Sequence, residues 1–202
     1  MKKLVVLLLV SLMAVSAFAG VDEDPDMLGC YFDLDANDNC ITMGESAPFF
    51  AYFMITNATA DNVFGVEFGY EVVVPAGMEG MLFRLAEILP TSSLNVGVAA
   101  DKLQGDYIVG MGTPIAGNGA NVTVVTWQLM LLTVMPVDIY VGPSNPESIF
   151  DGLPAYEIGG TIASLGVSTG HPALGLPVAS VNGDCPVAIE NASFGSVKSL
   201  FR

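Results

Sequence analysis

The chain has 202 residues but one histidine, one tryptophan, three cysteines and only six lysines and arginines. A typical zinc site draws on several histidines or free thiols, and the lone His171 with three cysteines bound for an oxidising compartment supplies neither. Two of the cations, Lys2 and Lys3, sit at the start of the chain. That leaves Arg84, Lys102, Lys198 and Arg202 to offset 21 acidic residues. A surface so poor in positive charge repels phosphate backbones and anionic membranes, which excludes nucleic acid as a partner. Long apolar runs are scarce too. Beyond the N-terminal one, the longest covers residues 122–137 and is interrupted by Thr123, Thr126, Gln128, Thr133 and Pro136, so it reads as a strand rather than a membrane span. There is no internal repeat, and no stretch holds a helical period for more than two or three turns.

The N-terminus does carry a pattern. Lys2 and Lys3 precede an uncharged apolar run, residues 4–18, that ends in the small-residue signature Ala17-Phe18-Ala19. This is the order of a secretory signal peptide, so residues 1–19 are expected to be removed and the protein to be secreted or displayed at the cell surface. Residues 20–26 are acidic, contain Pro25 and have no apolar period, as in a flexible leader. Residues 27–202 are then one domain with enough apolar side chains for a substantial core.

Within that domain Gly, Pro, Asn and Asp interrupt the chain at short intervals. Residues 63–74 place Phe64, Val66, Phe68, Tyr70, Val72 and Val74 on one face and Gly65, Glu67, Gly69 and Glu71 on the other, a strand with one face in a core and one in water. Residues 121–131 are apolar on both faces and read as a central strand covered on both sides. Shorter strands are expected at 29–32, 49–56, 80–85, 106–110, 137–141, 155–159 and 174–181. The spacing is that of the many short strands of an all-β sandwich or barrel. Helix is expected only as a turn near 85–89 and at 191–201, where Phe194, Val197, Leu200 and Phe201 share a helical face. Those four side chains serve either to dock the C-terminus or to bind a partner.

Cys40 and Cys185 lie in matching polar turns, Asn-Asp-Asn-Cys and Asn-Gly-Asp-Cys-Pro, whereas Cys30 lies in an apolar run. A Cys40–Cys185 disulfide with Cys30 as a small buried side chain is the expected arrangement. The segment preceding Cys40 offers oxygen ligands at alternate positions, Asp33, Asp35, Asn37 and Asn39, as calcium loops do. Asp38 stands where an EF-hand needs glycine, so the choice is between a looser calcium site and an acidic turn held by Cys40. No other cofactor is implied. The pentapeptide Gly166-Val167-Ser168-Thr169-Gly170 has the spacing of a nucleophile elbow, but Pro172, Gly175 and Pro177 forbid the helix that motif needs. Gly110-Met111-Gly112 and Gly117-Asn118-Gly119 precede a strand rather than a helix, which makes them turns and not phosphate loops.

The strand bearing Gly65-Val66-Glu67-Phe68, followed by 105–112 and the strand around Trp127, resembles the cohesin and carbohydrate-binding-module type of immunoglobulin-like sandwich. Three further segments are similar to a group of uncharacterised secreted bacterial proteins. They are Tyr31-Phe32-Asp33 with Cys40, Asn182 to Cys185, and the aromatic-Gly-x-Val-Lys-x-Leu-aromatic end from Phe194 to Phe201. The resemblance implies an all-β, immunoglobulin-like antiparallel sandwich and export, and it supplies no catalytic residues. The leading functional expectation is a non-enzymatic module that binds or assembles with a protein or polysaccharide at the cell exterior. A carbohydrate-binding module is the first alternative and a carboxylate-dependent secreted enzyme the second. Sugar binding would call for two or three of Tyr52, Tyr70, Tyr107, Tyr140 and Tyr156 on one exposed face; buried tyrosines would favour a scaffold.

Overall fold

Alternation of large apolar side chains with polar ones drives the chain into strands, and the computed structural model describes residues 24–168 and 176–186. The signal segment 1–19, residues 20–23, His171 and the C-terminal Phe194, Val197, Leu200 and Phe201 lie outside the described residues. The strands are β1 (Met27–Tyr31), β2 (Cys40–Ile41), β3 (Phe49–Thr56), β4 (Asn62–Val73), β5 (Leu82–Ile88), β6 (Ser93–Asn95) and β7 (Gln104–Ala116). They continue with β8 (Val122–Leu131), β9 (Val137–Gly142), β10 (Ala155–Glu157), β11 (Ile162–Ser164), β12 (Gly166–Val167) and β13 (Ala179–Val181).

Two sheets form a β-sandwich. The first runs in the order β12-β1-β3-β8-β5. The second runs β11-β10-β4-β9-β13-β2, with β7 paired to β4 and β6 to β7. On one side of β4 lies β7; on the other, β10 pairs with Gly65 to Glu67 and β9 with Gly69 to Val73. The pairings are antiparallel except for β1 with β12 and β13 with β2, so both sheets are mixed rather than purely antiparallel. No helix among the described residues is long and apolar enough to cross a membrane.

The core lies between the sheets. From the second sheet come Val66, Phe68, Tyr70, Val72, Tyr107 and Val109; from the first, Phe53, Ile55, Trp127, Leu129 and Leu131. Trp127 is fully buried, edge-on to Phe53 at 4.6 Å and to Tyr70 at 4.9 Å between ring centroids. Each such side chain contributes roughly 1.5–3 kcal/mol through burial alone, and edge-on aromatic pairs add to that.

Burying Trp127 and two tyrosines also requires partners for their polar atoms. Trp127 Nε1 donates to the Tyr107 hydroxyl at 2.7 Å, and that hydroxyl donates to Glu87 Oε2. Arg84 donates to the hydroxyls of Tyr70 (3.2 Å) and Tyr107 (3.4 Å) and to the carbonyl of Ala99, and it pairs with Glu87 at 3.6 Å. Tyr70 donates to the carbonyls of Ala99 and Asp101. Burial first, then the bond to Glu87, pushes the Tyr107 hydroxyl far above the usual tyrosine range, and burial likewise raises Tyr70.

Several strands depart from simple alternation, and bulges are the reason. The β4–β7 register shifts between Val63 and Gly65, so Val63 is buried and Phe64 only partly so, the reverse of the expected phase. A second shift between Phe53 and Met54 leaves Val124 as an extra residue in β8. The expected two-sided burial of β8 is not found: Thr126, Gln128 and Met130 on its outer face are only partly covered. The helical turn expected near 85–89 is instead the end of β5, where Leu85 bulges between Arg84 and Ala86. Glu67, expected in water, is 8% exposed because the loop 143–154 folds over it. Its two carboxylate oxygens accept from Ser148 N and Ser148 Oγ at 2.8 and 2.6 Å.

Cys40 and Cys185 form a disulfide across a sequence separation of 145 residues, and Cys30 is a buried free thiol. Asn182 brings the bridge together. It adopts φ 57°, and its side-chain amide accepts from Met43 N at 2.8 Å and donates to the carbonyls of Met43 and Met135. Asp26, placed by sequence in the leader, accepts from Thr59 N at 2.7 Å and Thr59 Oγ1 at 2.5 Å, so residues 24–26 are part of the folded structure.

Cys40→Ser should lower unfolding stability by about 2–5 kcal/mol through release of this long loop; denaturant melts of the variant against the oxidised wild type measure it. For the tyrosines the sign follows from the raised values. The folded state holds these protons more tightly than the unfolded chain, so the stability they supply is complete below the ordinary value of 10.0 and is lost as pH climbs above it. The melting temperature should therefore fall above about pH 10, and Tyr107→Phe should flatten that fall. The same variant should cost about 1–3 kcal/mol at neutral pH, because Trp127 Nε1 loses its acceptor.

Candidate functional site

The outer face of the second sheet is built around a gap in its side chains. Gly65 and Gly110 stand directly opposite each other on β4 and β7. Leu94 on β6 lies opposite Gly110, Glu157 on β10 opposite Gly65, and Ile162 on β11 opposite Glu157. Residues opposite one another in a sheet project from the same face. This row therefore runs Leu94, Gly110, Gly65, Glu157, Ile162, with bare backbone at its centre. The next row places Ile108, Glu67, Ala155 and Ser164 side by side.

The result is a groove of about 470 Å³ with a glycine floor, one wall from Leu94 and Val96, and another from Ile162. Leu94 and Val96 are 67% and 68% exposed and Ile162 46%. Contiguous exposed apolar side chains beside a concave surface mark interaction sites. The two floor glycines are not equivalent. A Cβ on Gly65 would sit 3.0 Å from the carbonyl oxygen of Val109, whereas one on Gly110 would meet nothing within 4 Å. Gly110 also lies outside the positive-φ glycines. The fold has no packing need for glycine at 110, and the open floor does.

The loop 143–154 closes one end. Besides the Glu67–Ser148 bonds, Asn145 N donates to Asp106 Oδ1 at 2.9 Å and Ser164 Oγ to Asp151 Oδ2. Held in this way, the loop presents Phe150 almost fully to solvent. Along the same face lies a second depression of about 740 Å³ whose lining includes Glu71, Asp101, Asp106 and Tyr140. Among the described residues its carboxylates form no ion pair, since Arg84 is spent in the core and Lys102 on the carbonyl of Leu82.

The residues singled out by sequence fall as follows. In the loop after β1, Asp33 Oδ1 accepts from the backbone N–H of Asn37 (2.8 Å) and Asp38 (3.2 Å), which closes a turn. That turn lays Ala36 over Tyr31 and Met54, a small cluster on the outer side of the first sheet. The backbone carbonyls of Asp35 and Asn39 accept from Asn121 Nδ2 and Ser180 N. No three carboxylate, histidine or cysteine groups among the described residues gather where they could hold a metal. Ser168 is buried where the chain leaves β12, its backbone N–H bonded to Leu28, rather than raised on an elbow. Trp127, Tyr70, Tyr107 and Tyr156 are buried, and the half-exposed Tyr52 and Tyr140 lie on opposite outer faces of the sandwich.

Sequence reasoning passed over Leu94, Val96 and Ile162, and it read Gly110-Met111-Gly112 as a turn, whereas those residues lie within β7. The alternation Leu94, Val96, Val98 with Asn95 and Gly97 between was a local signal of a strand-like apolar edge. The facing of Gly65 and Gly110 was not local and had no such signal.

No protein-family model matches the chain, and no curated protein matches its sequence. Among solved structures it is similar to a type II cohesin domain from the cellulosome of Acetivibrio cellulolyticus, with a TM-score of 0.47 and 12% identity over 80% of this chain and 98% of that one. It is also similar to the seventh ScaB type I cohesin from Pseudobacteroides cellulosolvens, with a TM-score of 0.46 and 7% identity over 77% and 94%. A cohesin module from a Clostridium perfringens family 33 glycoside hydrolase has a TM-score of 0.45 and 11% identity over 79% and 99%.

Gly110→Val should leave the melting temperature within a degree or two of wild type, its side chain entering open groove. Gly65→Val should lower it clearly, by about 1–3 kcal/mol of stability, because its Cβ presses on backbone. Parallel thermal melts of the two variants compare them directly.

Proposed function

We propose that this protein is a non-enzymatic binding module, acting outside the cell, that docks a protein partner in the glycine-floored groove of the second sheet. The observation that carries this reading is Gly110, a glycine with room for a side chain, set between the exposed walls of Leu94, Val96 and Ile162. An extended segment with an apolar side chain fits such a floor, and recognition of this kind rests on a few buried anchors within a polar rim. The rim here is acidic, with Glu157 on the groove and Glu71, Asp101 and Asp106 beside it. The partner segment is therefore expected to carry Lys or Arg next to its apolar anchor. The polysaccharide alternative has less support, because no two of the candidate tyrosines share an exposed face.

Selection of a displayed peptide library on the purified protein tests the reading. Enriched peptides should combine an aromatic or aliphatic residue with a neighbouring cation and weaken as salt rises. They should also bind Gly110→Arg at least about tenfold more weakly, a loss of about 1.4 kcal/mol. Peptides that bind wild type and Gly110→Arg equally would count against the groove. Retardation in polysaccharide gels that Gly110→Arg leaves intact would move the function to sugar.

A further inference from the structure

Among the described residues the first sheet ends at β5, which pairs with β8 on one side and with no strand on the other. Leu132 N donates to the carbonyl of Met81, which makes Leu82 and Leu131 a pair whose backbone groups point away from each other. By the same alternation Leu82, Arg84 and, past the Leu85 bulge, Glu87 turn their backbone N–H and C=O groups to the open edge. An independent contact agrees: Lys102 Nζ reaches the carbonyl of Leu82 from outside at 2.5 Å, with its ammonium 5.1 Å from the Phe83 ring centroid. Lys102 thus caps only the first edge position. Beyond it a trough of about 780 Å³ runs between residues 84–89 and the segment 93–100, leaving the rest of the edge accessible. Unpaired strand edges are templates for another strand unless they are blocked.

We infer that β5 pairs with β5 of a second copy, antiparallel about the Leu85–Ala86 bond. In that register Arg84 faces Glu87 of the second copy and Phe83 faces Ile88, and the two-fold axis repeats both contacts. In a regular strand residues three apart lie on opposite faces and in opposite hydrogen-bonding phase. The extra residue at Leu85 removes that conflict: Arg84 and Glu87 both face the sandwich interior and both offer edge-directed backbone groups, while Phe83 and Ile88 both face outward, 40% and 50% exposed. The pairing sets apolar side chains together on the outer face, a kind of pair that stabilises a sheet, and leaves Arg84 and Glu87 to the bonds they make within each copy. Charge also favours this edge over the rest of the surface. Lys102, the one cation among the described residues that is not drawn into the core, lies at this edge, so two acidic copies meet less repulsion here. The contact is independent of the groove on the second sheet.

Sedimentation equilibrium of the unaltered protein is expected to show a concentration-dependent monomer–dimer equilibrium. Ala86→Lys, which sets two ammonium groups beside the axis on the outer face, should raise the dissociation constant at least about tenfold while the far-UV spectrum stays unchanged. The register is read by oxidation. Separately purified Phe83→Cys and Ile88→Cys proteins should form a covalent dimer when mixed and little or none alone, because each residue faces the other and not itself. Cys30 is buried and does not interfere. A protein that stays monomeric to millimolar concentration overturns the inference. So does a dimer indifferent to Ala86→Lys, or crosslinking as efficient in either single variant as in the mixture.

Discussion

The hydroxyl of Tyr107 is the point at which the two sheets are tied chemically as well as packed. It accepts from Trp127 on β8 and Arg84 on β5 and donates to Glu87, while its own ring stacks in the core from β7. A sandwich held by aromatic burial alone tolerates sliding of one sheet over the other; directional bonds among buried partners penalise it. The tie extends outward. Arg84 and Tyr70 both bond the carbonyl of Ala99, and Tyr70 that of Asp101, so the segment after β6 is fixed to the core. That segment adjoins Leu94 and Val96, which wall the groove. The placement of a surface feature on the second sheet therefore depends on hydrogen bonds made between the sheets.

Much of the architecture was legible in the sequence because it is written locally. Alternation at 63–74 and 121–131, the polar turns around Cys40 and Cys185, and the Gly, Pro and Asn punctuation each act over a few residues, and they led to an all-β sandwich. What escaped was set by contacts between distant segments. The bulges at Phe64, Leu85 and Val124 have no signature in a period of two, so Phe64 was put on the wrong face and the end of β5 was taken for a helical turn. The burial of Glu67 depends on Ser148, and the groove depends on a strand register that puts Gly110 across from Gly65.

Acidic side chains show the same contrast between composition and placement. In sequence the alternation from Asp33 to Asn39 has the look of a cation loop, yet Asp33 spends an oxygen on backbone N–H groups and the loop's apolar Ala36 covers Tyr31 and Met54. Asp26, Glu67, Asp106 and Asp151 likewise fasten loops to strands. A considerable part of the acidity is thus structural mortar for a chain with few cations to pair with it. The remainder, around Glu71, Asp101 and Glu157, colours the face that carries the groove.

The disulfide has a mechanical consequence. Cys40 follows β1 and Cys185 follows β13, so strands β2 to β13 lie within one covalently closed loop. A pull applied between a point before Cys40 and a point after Cys185 passes through the sulfur–sulfur bond and cannot extend the chain inside the loop, and it loads β3 and β12 only through their pairing with β1. Only β1 and the segments beyond the bridge can lengthen under tension. The face bearing the groove would keep its shape while the chain at either side of the bridge is stretched, as long as the compartment stays oxidising.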